Sequence, residues 1–68
     1  MEFIYLLLPE DDKSGWDDMQ IFTNELIAIN ASKKYPDGRV EIFEKSLDGN
    51  YMPSFSYFKC GIYITIYN

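Results

Sequence analysis

The chain has 68 residues, 47% of them hydrophobic, and its eleven acidic and six basic residues give a net charge of −5. This length predicts one domain over residues 1–68, built around a single hydrophobic core. The acidic balance argues against direct binding to nucleic acid or to an anionic membrane, because lysine and arginine supply most of the affinity for both.

Cysteine content and the N-terminal segment bear on the cellular compartment. Cys60 is the only cysteine, so an intrachain disulfide is impossible and a reducing compartment is expected. The apolar residues 3–8 have no basic residue before them and run directly into Pro9 and Glu10, unlike a secretory signal peptide. They are also far fewer than the roughly 20 residues of a membrane-spanning helix. We therefore expect a soluble, cytoplasmic protein.

The N-terminal half predicts one strand and one helix. A first strand is predicted over residues 2–8, because its run of apolar residues over 3–8 is typical of a central strand that is buried on both faces. A polar loop over 9–15 follows, with Ser14 as the expected helix N-cap. A helix is predicted over 15–35 and ends before Pro36. The residues expected to face the sheet repeat at a spacing of three and four positions: Met19, Phe22, Leu26 and Ile29.

The C-terminal half predicts strands. Residues 39–46 alternate apolar and charged side chains, and the Asp-Gly pair within 47–50 predicts a hairpin turn. Residues 51–67 are rich in Tyr, Phe, Ile and Thr, as strands are. Within them, Cys60-Gly61 is either a tight turn between two strands or a bulge, and two strands or one strongly kinked strand is the preferred interpretation.

These elements predict an α+β fold of two layers in the order β-α-β-β, with room for a further strand. One helix would pack on a three- to four-stranded sheet, in which the first strand can pair with the last. No second helix remains to cover the other face of the sheet. Tyr and Phe side chains of the last strands are expected to populate that face.

The residue types required by most catalytic chemistry are missing from the sequence. Without histidine there is no Ser-His or Cys-His nucleophile, and a single cysteine cannot form a thiolate zinc site. The four glycines are scattered over the predicted junctions and form no phosphate-binding run. We expect a protein that is not an enzyme and that holds no cofactor and no metal.

Carboxylates are the one group in excess. Five of them fall within residues 10–18: Glu10, Asp11, Asp12, Asp17 and Asp18. They could form a solvated loop that also stabilises a helix start, an acidic patch for a basic partner, or a weak site for a divalent cation. The spacing lacks the alternating ligands of a calcium loop, so the metal alternative is the weakest.

Aromatic residues exceed what one small core hides, since six Tyr, five Phe and one Trp occur in this short chain. Trp16 either packs the acidic loop against the sheet, which is the preferred interpretation, or stays exposed as a binding anchor. Tyr57 and Tyr63 are expected on the sheet surface, where they would pack or contact a protein partner. Residues 51–67 contain too few basic residues to form a surface on which RNA bases stack.

Together these features favour a non-catalytic binding protein. It would act as an inhibitor or regulator that occludes a basic site, such as a nucleic-acid-binding site, on a larger protein. Phage-encoded inhibitors, bacterial immunity proteins and antitoxins share this general profile, although no motif here is specific to them. The alternative is a structural or assembly subunit that self-associates, for example as a homodimer, through an aromatic sheet face.

Overall fold

The computed structural model describes residues 2–11 and 13–65, which form one helix layer on one antiparallel sheet. The elements in chain order are β1 (Phe3–Leu8), a short 3-10 helix (Trp16–Asp18), β2 (Gln20–Phe22), α1 (Glu25–Lys34), β3 (Arg39–Lys45), β4 (Tyr51–Lys59) and β5 (Ile62–Thr65). Over the described residues the sheet has five strands in the order β2-β1-β3-β4-β5. The predicted two-layer α+β class is confirmed, whereas the predicted three to four strands are too few.

The additional strand comes from the first half of the predicted helix over 15–35. Residues 20–22 pair antiparallel with β1, with Phe22 opposite Tyr5, and α1 begins only at Glu25. Asn24 is the N-cap, because its side-chain oxygen accepts a hydrogen bond from the Ile27 amide at 3.0 Å. The predicted cap, Ser14, bonds instead to the backbone of Glu10.

The core lies between α1 and one face of the sheet. Leu7, Val40 and Phe58 follow one another across three strands, and all three are buried. Ala28 of α1 is fully buried against them, which its small side chain permits. α1 runs obliquely towards the turn after β4, where the Gly61 amide donates to Ser32 Oγ at 2.8 Å.

The predicted helix stripe is therefore only half right. Phe22 and Ile29 pack on the core, although Phe22 does so from β2. Met19 precedes β2 and is half-buried, and Leu26 is 66% exposed, so the expectation that Leu26 faces the sheet is wrong. The physical reason is a helix that starts later and presents its small residues, Ala28 and Ser32, to the sheet.

β1 is an internal strand as predicted, but its two faces are not equally buried. Tyr5 and Leu7 point towards α1, whereas Ile4 and Leu6 are half-buried on the other side. β1 pairs with β2 and β3, so the expected pairing of the first strand with the last does not occur. β5 forms the far edge beyond β4, and residues 66 and 67 of the predicted last strand lie outside the described residues.

Two predicted turns connect the last three strands. Residues 46–50 join β3 to β4, and Cys60-Gly61 forms a tight turn rather than a bulge. Both turn residues have positive φ, 51° and 81°, and Lys59 pairs directly with Ile62, as in a two-residue hairpin. The real irregularity lies within β4, where the pairing register with β3 shifts next to Phe55.

Finally, no helix of the described residues is long and apolar enough to cross a membrane.

Candidate partner-binding site

The acidic segment predicted to bind a partner is the connection between β1 and β2. It includes the exposed residues Glu10, Asp17 and Asp18, while Asp12 lies outside the described residues. Trp16 is 89% exposed, so the preferred expectation that it packs against the sheet is wrong. Asp18 accepts a hydrogen bond from the Gly15 amide at 3.3 Å and thereby closes the short 3-10 helix that carries Trp16. We call residues 10–18 the acidic loop.

Asp11 differs from Glu10, Asp17 and Asp18 because it forms ion pairs with basic residues of the sheet. Its two oxygens accept hydrogen bonds from Arg39 Nη1 at 2.9 Å and from Lys59 Nζ at 3.2 Å. Partial burial would raise the pKa of Asp11, but the hydrogen bonds and positive charges of these two residues outweigh it and lower the pKa. Asp11 therefore anchors the loop to the sheet, and its charge is already compensated.

The two predicted tyrosines lie on opposite faces of the sheet. Tyr57 pairs with Ile64 and Glu41 on the face without a helix, where it is half-buried. Tyr63 pairs with Phe58 on the helix side, and its hydroxyl donates to Ser56 Oγ at 3.1 Å. The predicted residues are therefore not one continuous patch, and a single flat partner surface could not contact both tyrosines.

The face that α1 leaves uncovered carries apolar side chains with charged residues among them. We call this surface the open face, and its apolar members come from all five strands: Ile4, Leu6, Ile21, Phe43, Tyr57 and Ile64. One end carries the Glu2–Lys45 ion pair and the other carries Arg39. Glu41, which binds Arg39, lies between Leu6 and Tyr57 in the middle of this face. The prediction that no helix covers this face holds for the described residues, but its aliphatic side chains outnumber its aromatic ones.

A second surface, which the sequence did not predict, lies beside α1 on the helix side. It is a cleft of about 410 Å³ between the first turn of α1 and strands β1, β3, β4 and β5. Glu25 and Glu44 line it together with rings of Phe3, Tyr5, Phe58 and Tyr63. We call it the helix-side cleft. The alternation of β3 indicates that Glu44 lies on the helix side, but only the late start of α1 brings Glu25 to the same place.

The geometry of the cleft combines aromatic rings with carboxylates. The Phe58 ring lies 6.2 Å from that of Tyr5 and 6.0 Å from that of Tyr63, measured between ring centroids. The pKa of Tyr5 is raised, first because the ring is buried and second because the adjacent negative charge of Glu25 disfavours the phenolate. In the part of the chain that the structure describes, no lysine or arginine forms an ion pair with Glu25 or Glu44.

Residues 2–11 and 13–65 contain no group of three or more Cys, Asp or Glu side chains arranged to hold a metal ion. Comparison with protein-family models, with curated protein sequences and with solved structures gives no match for this chain. A functional assignment therefore rests on the surfaces of the chain itself.

Proposed function

We propose that this protein is a non-catalytic binding protein, an inhibitor or regulator that occludes a basic site on a larger protein. The observation that carries the proposal is Trp16, which is 89% exposed and directly precedes Asp17 and Asp18. A bare indole beside uncompensated carboxylates is costly to leave in water and well suited to a basic, partly apolar partner.

The two kinds of side chain would contribute differently to binding. Asp17 and Asp18 are exposed and form no ion pair with any described residue, so their field extends into solvent and can accelerate encounter with a positive surface. Trp16 would be desolvated in the complex and would set the dissociation rate of the complex, since tryptophan is enriched among the residues that dominate interface energies. A nucleic-acid-binding protein offers a surface of this basic kind.

The same proposal places the protein in a reducing, cytoplasmic compartment and assigns it no catalytic step and no cofactor. Cys60 is exposed and has no second cysteine in the chain with which to pair. Phage-encoded inhibitors, immunity proteins and antitoxins are proteins of this type.

The test is affinity capture with matched variants, followed by kinetics. The wild type, Trp16→Ala and the control Leu47→Ala are immobilised and exposed to an extract of the source cells. Leu47 is a suitable control because it is also a fully exposed apolar residue, but it lies in the turn between β3 and β4. We expect a basic protein to be retained by the wild type and by Leu47→Ala, and lost by Trp16→Ala.

Surface plasmon resonance on the captured protein then separates steering from anchoring. Association should slow steeply as ionic strength rises from about 0.05 to 0.5 M, because the Debye length falls from ~14 to ~4 Å. The double substitution Asp17→Lys, Asp18→Lys should flatten this dependence, whereas Trp16→Ala should raise the dissociation rate at every salt concentration. Association that ignores both salt and charge reversal would refute the proposal.

Self-association through the open face is the alternative, favoured by the apolar side chains of that face. Ile21 at its margin is 66% exposed, and Leu6 and Ile64 are only half-buried. Apolar side chains left accessible on one face of a sheet commonly mark an interface. Sedimentation equilibrium tests it: a dimer that Leu6→Lys dissociates would support self-association, and a monomer at high protein concentration would exclude it.

A further inference from the structure

The helix-side cleft exists because α1 is too short to cover its side of the sheet. α1 has ten residues and is about 15 Å long, whereas the nine residues of β4 extend over about 30 Å. The helix begins near Tyr5 and ends at the turn after β4, as the bond from Gly61 to Ser32 shows. The part of this face that includes Glu44 and Tyr63 therefore stays open to solvent.

The residues in this opening are those of a ligand site rather than of an ordinary surface. Its volume of about 410 Å³ falls within the usual range for ligand pockets. The most deeply placed side chains, Tyr5 and Phe58, are 5% and 6% exposed, while Tyr63 at the margin is 57% exposed. The cleft thus has a buried aromatic interior, and the rings of Tyr63 and Phe3 at its margin are partly exposed.

Charge decides which group fits. Glu25 and Glu44 both line the cleft, and no cation of the described residues compensates either of them. The neighbouring Lys45 bonds to Glu2 at 3.6 Å, away from the cleft on the open face. Anions would be repelled, and a purely apolar group would strip water from two carboxylates without replacing their hydrogen bonds. A cation that also stacks on aromatic rings satisfies both parts of the lining.

We propose that the helix-side cleft binds the guanidinium of an arginine side chain on the basic protein partner. A guanidinium is planar, stacks on aromatic rings, and donates a fork of hydrogen bonds that matches a carboxylate. Lysine would place a compact, strongly hydrated charge in the same space and would gain less from the rings. This assignment depends on the function proposed above and specifies how part of the basic partner is recognised.

The experiment needs no partner. N-acetyl-arginine amide is titrated into the ¹⁵N- and ¹³C-labelled protein, with N-acetyl-citrulline amide as a neutral probe of the same shape. We expect saturable chemical-shift changes confined to the aromatic signals of Tyr5, Phe58 and Tyr63, with a dissociation constant on the order of 1 mM. Citrulline should cause no saturable change there.

Matched variants connect these shifts to the carboxylates. Glu44→Gln and Glu25→Gln should each weaken binding about tenfold, since each removes the negative charge that strengthens a hydrogen bond from the guanidinium. Asp37→Asn removes the same charge from the exposed turn before β3, at the opposite end of the sheet, and should bind as the wild type does. Dispersed amide spectra confirm that each variant is folded.

Several results would overturn this assignment. They are an absence of saturable shifts in the cleft, equal shifts with citrulline, or equal weakening by Asp37→Asn. If capture yields a basic partner but arginine amide leaves the cleft unchanged, the cleft assignment fails alone. If arginine amide binds but no basic partner is captured through Trp16, the proposed function fails while the cleft chemistry stands.

Discussion

Truncating one of two leucines tests where α1 packs. Leu7 is 0% exposed at the centre of the core, whereas Leu26, which the sequence places at the core, is 66% exposed. Leu7→Ala should cost about 2–5 kcal/mol, because it removes buried surface and leaves a cavity that tightly packed neighbours cannot fill. Leu26→Ala should change the free energy of unfolding by no more than about 0.5 kcal/mol.

The total stability of so small a domain makes that difference easy to observe. At about 0.05–0.15 kcal/mol per residue, 68 residues give a free energy of unfolding of roughly 3–10 kcal/mol. Urea denaturation followed by far-UV circular dichroism measures both variants. Tryptophan fluorescence is a poor probe, because Trp16 is already 89% exposed in the folded state.

The expected result is a large fall in the urea midpoint for Leu7→Ala and an unchanged midpoint for Leu26→Ala, with similar slopes. A loss above about 2 kcal/mol for Leu26→Ala would be the size of a core truncation. It would mean that α1 presents the stripe predicted from the sequence and that the orientation described here is wrong.

Two further predictions concern the turn before β3 and the anchor of the acidic loop. Gly38→Ala should destabilise the fold by several kcal/mol, since a Cβ atom there would clash with the backbone oxygen of Leu8 at the end of β1. Gly15→Ala is the control, because the nearest atom to a Cβ at Gly15 is 3.8 Å away. Equal melting temperatures of Gly38→Ala and Gly15→Ala would contradict this prediction. Asp11→Asn should cost at most about 1 kcal/mol at about pH 7, because the Asp11 carboxylate in its ion pairs is 39% exposed. Its folded-state pKa is lowered, so the stabilisation is present above the ordinary value of 3.8 and is lost as the pH falls through the lowered value. Urea titrations should therefore show the wild type and Asp11→Asn converging in acid, and a constant difference would refute the ion-pair account.

Local sequence signals predicted the C-terminal half well because its structure is locally determined. The Asp-Gly pair at 48–49 and the Cys60-Gly61 pair each supply the positive φ that a tight turn requires, and both turns form. The alternation of β3 places Val40 and Ile42 under the helix, as a period of two requires. No distant contact is needed to decide these elements.

The N-terminal half was harder to predict because its pattern fits two structures. The spacing from Met19 to Ile29 matches a helix, yet β1 offers an unpaired edge that residues 20–22 satisfy as a strand. The Asn24 side chain then supplies a cap that starts α1 ten residues later than predicted. Sequence periodicity cannot decide between a helix and a strand for residues 20–22, since the choice depends on where β1 lies in the sheet.

The candidate site was predictable only where it depends on composition. Acid content identified the exposed loop with Glu10, Asp17 and Asp18, and it could not show that Asp11 is bound by Arg39. The helix-side cleft escaped prediction because Glu25 and Glu44 are far apart in sequence and meet only once α1 lies across β3. The sequence predicted that one face of the sheet has no helix on it. Because α1 is short, part of the other face is also uncovered.

The spacing between the acidic loop and the helix-side cleft constrains any common partner. The loop follows Leu8, and Phe3, the cleft residue at the other end of β1, lies about 17 Å from Leu8 along the strand at ~3.3 Å per residue. A standard interface buries about 800 Å² per partner and is roughly 30 Å across, wide enough to include both ends. The open face points away from the cleft, so a partner seated there could not reach Glu44. Simultaneous use of the loop and the cleft therefore favours a heterologous basic partner over a second copy of this acidic chain, whose own carboxylates would repel the cleft.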